Sequence, residues 1–164
     1  MRVRAGLYRV SRGFTLIEIL VVCAIMAIMA GLVMLRIDHS DASRLDAAAE
    51  GLTRHLEAAR DEAVIRGAPI AFSSDGQGYQ FWLANDSAMW IPLPGADNTA
   101  ASRFARGVEL NAVSLNGAAR PLGERIVFSP FGLVEPFALT LVAGSARVEV
   151  LADALGRFET RHAQ

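Results

Sequence analysis

At 164 residues with a formal net charge of −1, the chain has room for one domain plus an appendage, and no global field of the kind that gathers nucleic acid. All sixteen basic residues are arginine, which excludes a phosphate-binding loop ending in Gly-Lys, a lysine Schiff base and a lysine general base. A single cysteine excludes an internal disulfide and any cysteine-built metal cluster, and 52% apolar content argues against disorder.

The charge is unevenly placed. Residues 1–13 carry Arg2, Arg4, Arg9 and Arg12 and no acid, leaving twelve arginines against seventeen acids for the rest. Residues 14–35 follow as an apolar run whose only carboxylate is Glu18. As a helix this run reaches about 33 Å at ~1.5 Å per residue, close to a hydrocarbon core of ~30 Å. The arginine bias predicts the leader in the cytoplasm and residues 36–164 on the far side of the membrane. The run is also longer than the core of a cleaved secretory signal. Cys23, preceded by bulky Val22, is expected to be a lipid-facing or helix-packing residue rather than a lipidation site. Glu18 is the informative position, because a carboxylate in mid-membrane costs about 2.5–3.5 kcal/mol and a plain anchor has no use for one.

Beyond the span, Leu45, Ala48, Ala49, Leu52, Leu56, Ala59 and Ala63 recur at three- and four-residue steps, with Arg44, Glu50, Arg54, Glu57, Arg60 and Asp61 on other faces. The spacing predicts an amphipathic helix over 36–67, with Gly67 as its C-cap and Pro69 blocking continuation. Around 38–41 it is either bent or continuous with the span. Strands are predicted at 69–73, 79–83, 89–93, 108–115, 126–128, 137–141, 146–151 and 157–160, with 74–78 a turn and 143–145 a hairpin connection. Residues 94–103 read as a polar loop, either touching cargo or merely mobile. The fold class is α+β: a long N-terminal helix, half transmembrane and half amphipathic, packed on an antiparallel sheet at 68–164 that forms one domain with 36–67.

The run Gly13-Phe14-Thr15-Leu16-Ile17-Glu18, behind an arginine-rich leader and ahead of an unbroken apolar stretch, resembles the type IV prepilin signature. The resemblance implies a pilin-like fold. It also implies that a prepilin peptidase cuts between Gly13 and Phe14, methylates the new amine on Phe14 and removes residues 1–13, and that 14–35 serves as membrane anchor and filament core. Physical chemistry agrees. Glycine lets a protease approach the backbone closely. The freed Phe14 amine and the Glu18 of an adjoining copy, at ~4 Å and an effective dielectric near 20, attract by about 4 kcal/mol before desolvation. Glu18 is therefore expected to be an assembly residue.

Further segments resemble the GspH-type minor pseudopilins of type II secretion and their FimT/FimU-type minor pilin relatives. They are 56–63 leading to Arg66-Gly67, Gly78-Tyr79-Gln80-Phe81 followed by Trp90, Phe128-Ser129-Pro130-Phe131-Gly132, and Asp153-Ala154-Leu155-Gly156-Arg157. The implied function is a structural subunit of a periplasmic pseudopilus, held in the inner membrane. The implied partners are other pseudopilins, the prepilin peptidase and secreted cargo. The alternative is a FimT/FimU-type minor pilin that binds DNA during uptake. Against that alternative, Arg157 and Arg161 flank Glu159 and Arg147 lies near Glu149, so no specific nucleic acid is expected. No enzymatic motif, cofactor or metal site is found. His39, His55 and His162 are scattered and expected on the surface, and Tyr79, Phe81, Trp82 and Trp90 are expected to pack within the sheet, alternate residues on opposite faces.

Overall fold

The computed structural model describes residues 16–85, 87, 89–94 and 101–162, with the side chains of 30–40 outside that description. The chain divides into two compact units, Met1–Arg36 and Ile37–Gln164. Helix α1, Leu16–Arg66, contributes to both and is helical through 38–41 without interruption. Its end is a Schellman cap. The Gly67 amide donates to the Val64 carbonyl at 3.3 Å and the Ala68 amide to the Ala63 carbonyl at 3.2 Å, with Gly67 at φ 64°.

Ten strands follow among the described residues: β1 Ile70–Ser74, β2 Gly78–Ala84, β3 Trp90–Pro92, β4 Ala101–Arg103, β5 Glu109–Leu115, β6 Ala118–Arg120, β7 Ile126–Phe128, β8 Phe137–Ala143, β9 Ala146–Ala152 and β10 Phe158–His162. They form two antiparallel five-stranded sheets, within the α+β class expected from the sequence. In the first sheet the order is β3-β2-β1-β7, with β4 also paired to β2; in the second it is β10-β9-β8-β5-β6. Residues 94–103 are not loop throughout, because their last three form β4, paired through Gly78↔Arg103. Of the remainder, Pro94 is exposed and outside any strand, and 95–100 lie outside the described residues. Strand β6, absent from the sequence reading, returns on β5 through Leu115↔Ala118.

One core serves the helix and both sheets. Leu45, Ala49, Leu52, Leu56, Ala59 and Ala63 form the buried stripe of α1 and share a cluster with Ile70, Phe72, Phe81, Ile126 and Phe128 of the first sheet and Leu110, Leu139, Leu141, Val148 and Val150 of the second. Alternation along β8 and β9 keeps one face dry and the other wetter, as the pattern requires. In β5 a register shift between Leu110 and Ala112 inserts an extra residue. It lets Leu110 and Val113, three apart, both point inward.

Candidate functional site

Of the residues expected to carry function, Gly13 and Phe14 lie outside the described residues. Glu18 sits in the first turn of α1 and is exposed. Around it, every side chain of 16–29 is exposed, and all of them except Glu18 are apolar, Leu16 at 85% and Ile17 at 69%. A helix that is apolar on all sides needs a cover, which the described residues do not provide. Among the described residues no helix is long and apolar enough to cross a membrane. The described apolar side chains from Leu16 to Met29 reach about 21 Å at ~1.5 Å per residue, short of the ~20 residues a span needs. The rest of the expected run, at 30–35, falls where side chains are not described.

In the second unit, His55 departs from the surface position expected for it. It is half-buried, with Nδ1 2.7 Å from the Tyr79 hydroxyl, joining α1 to β2. Burial, and then the nearby Arg54 charge, hold its pKa below 6.5. Burial pushes the Tyr79 hydroxyl above 10, opposed by a hydrogen bond with Ser102 and by Arg54. The pair therefore suits a neutral ring accepting from a protonated phenol. As pH falls below about 6.5 the unfolded chain takes up this proton first, so the contribution is present above that pH and is lost on acidification. Thermal melts of the full chain in detergent are expected to show lower stability at about pH 5.5 than at pH 7.5. In His55→Gln that difference should shrink.

His162 is exposed, 3.7 Å from Asp46, and the side chain of His39 lies outside the described residues. Among the described residues no group of three or more His, Cys, Asp or Glu is placed to hold a metal ion. Two of the three arginines considered for nucleic acid are engaged by acids of their own chain. Arg157 Nε and Nη2 both lie 2.6 Å from Asp153 Oδ2, and Arg161 lies 3.6 Å from Glu159. The Arg157 amide and guanidinium hold the Asp153 carboxyl below its ordinary range.

The two glycine turns singled out in the sequence meet the helix. Arg60 Nη1 donates to the Gly156 carbonyl at 2.8 Å. A Cβ on Gly156 would come within 2.6 Å of Arg60 Cδ and 3.2 Å of the Gly132 carbonyl oxygen, at φ +68°, so this approach requires glycine. The segments at 128–132 and 153–157 are thus structural: they dock loops of both sheets near the end of α1.

Tyr79 and Phe81 enter the core, while Trp82 and Trp90 on the opposite face are half-buried.

Comparison with known proteins gives a concordant picture. The family described as Type II transport protein GspH matches residues 48–156, and the prokaryotic N-terminal methylation motif matches 8–34. Type II secretion system protein H of Klebsiella pneumoniae is 31% identical over 167 residues, covering 87% of this chain and 96% of that protein. Type II secretion system protein H of Pseudomonas aeruginosa is 36% identical over 87 residues, and the match spans about half of each chain, 52% of this one and 51% of that one. The fold is similar to that of the minor pseudopilin EpsH from the Type 2 Secretion System of Vibrio cholerae, with a TM-score of 0.61 at 17% identity over 73% of this chain and 97% of that one.

Proposed function

The chain belongs to the GspH family of type II transport proteins and is a minor pseudopilin of type II secretion, and we infer that it works by assembly rather than by catalysis. The observation that carries this reading is the uncovered apolar surface of Leu16 to Met29, broken by one carboxylate and lying within the matched methylation motif. In our reading residues 1–13 are a leader cut by a prepilin peptidase between Gly13 and Phe14, and Phe14 is then N-methylated. Residues 14–35 cross the inner membrane with the leader side cytoplasmic, and 36–164 form the periplasmic part. Lipid covers the apolar helix first, and the helices of other pseudopilins cover it in the filament. This exchange needs little driving force, because lipid tails and packed apolar side chains are alike in polarity.

Secreted cargo is a further partner in this proposal. A FimT/FimU-type role in DNA uptake is disfavoured, because Arg157 and Arg161 already neutralise acids of the same chain. Salt-sensitive DNA binding requires cations free to replace counterions.

Intact-mass analysis of the chain coexpressed with a prepilin peptidase tests the proposal. The expected product begins at methylated Phe14 and remains with the membrane fraction. Assembled, working protein that still carries residues 1–13 would overturn it.

A further inference from the structure

The outer face of the first sheet carries an arrangement that the assembly helix does not use. Its central strand presents small residues there, Ala71 and Ser73, paired to Trp82 and Gln80 of β2. The space above them is taken by larger neighbours. The Trp82 indole N–H donates to Ser73 Oγ at 2.8 Å, which fixes the ring. The Arg125 guanidinium carbon stands 4.6 Å from the centre of that ring and 5.9 Å from that of Trp90. Exposed Val127 and Pro92 lie on either side, each paired in the row that contains Ala71 and Trp82.

Arg125 is exposed and makes no ion pair or hydrogen bond among the described residues. Its neighbour Glu124 is drawn instead to Arg120, at 3.6 Å. A guanidinium whose face is against indoles keeps its in-plane N–H donors directed outward, in the fork that matches a carboxylate. Holding it there beforehand lowers the ordering cost of binding. Tryptophan and arginine are also the side chains that most often dominate protein–protein binding energy.

We propose that Trp82, Arg125 and Trp90 form a docking surface for an acidic segment of a partner protein, with a partner carboxylate taken by Arg125 and apolar atoms beside it resting on the two indoles. The unanswered charge selects an acidic partner. Side chains of the types that dominate protein–protein binding select a protein surface over a small molecule. The inference rests on the reading that this chain acts through protein contacts, but its test needs no assembled filament.

The chain contains two tryptophans, and both belong to this surface, so selectively excited tryptophan fluorescence reports on it alone. Full-length protein in detergent micelles is titrated with poly-L-glutamate, with heparin and duplex DNA run in parallel. The expected result is a saturable fluorescence change with poly-L-glutamate. It should weaken at least about tenfold in Arg125→Gln and about threefold in Arg125→Lys, which keeps the charge without the stacking plane. In Arg157→Gln, whose native guanidinium is held by Asp153, it should be unchanged. Because Arg125 is exposed, its variants should melt with the parent. No saturable change, equal affinity in Arg125→Gln, or an equal response to heparin or DNA would each overturn the proposal. Failure of the assembly reading would appear separately, as absence of the Phe14 terminus.

Discussion

Truncating Phe81 to alanine is expected to destabilise the domain by about 3–5 kcal/mol, the range for removing a buried aromatic and leaving a partly unfilled cavity. Phe81 is 0% exposed, with Phe72 and Tyr79 ring centres 5.7 and 6.0 Å away. Phe72 is also its direct partner across β1 and β2, so the void would open at the junction of strand pairing and helix packing. Against a total stability of about 5–15 kcal/mol, the loss is a large share, and a fall in melting temperature of about 10–20 °C should follow. Denaturant unfolding of the full chain in detergent measures it. Val127→Ala, on an exposed position of a neighbouring strand, should stay within about 0.5 kcal/mol of the parent. If Phe81→Ala cost no more than that control, the core assigned to this face of the sheet would be wrong.

Glu18→Ala is expected to leave processing at Gly13 intact and to lower incorporation into the pseudopilus at least tenfold. Cleavage needs the backbone beside Gly13, whereas incorporation in the proposed scheme needs a carboxylate to answer the amine of an adjoining subunit. Removing one partner strands the other in lipid, a larger penalty than the net worth of the pair. The readout is the ratio of chain in sheared filaments to processed chain in the membrane. Glu18→Gln should resemble Glu18→Ala, since it keeps a polar group but no charge. Ile17→Ala, on the same turn, should incorporate nearly normally. Full incorporation of Glu18→Ala would remove the electrostatic account of register.

The buried stripe of α1 was legible because Leu45, Ala49, Leu52, Leu56, Ala59 and Ala63 repeat at helical spacing, and the end of the helix because Gly67 and Pro69 leave little alternative. The β8–β9 hairpin could be read from its alternation. The division into two sheets could not, because it depends on which strands pair, and period-two patterns say nothing about partners. Strands β4 and β6 are three residues each, too short for any period, and exist because longer strands offer them open edges. His55 was misplaced for a related reason. On the helix it reads as one more polar residue, and its partner Tyr79 lies 24 residues away on another element. Likewise Trp82 and Trp90 could be seen as aromatic, but Arg125 between them could not, since the register joining β1, β2 and β7 brings it there. Gly13, Phe14 and Glu18 stood out because they form a motif contiguous in sequence, which needs no tertiary contact to be seen.

Most outer strands of the sheets are short, which has a consequence for a chain that we propose acts by assembly. β3, β4, β6 and β7 offer three residues apiece, so a foreign strand seeking to add there finds few backbone groups to join, and only β10 at the other edge of the second sheet is longer, at five. Copies held close together are thereby discouraged from zipping into fibrils along those edges.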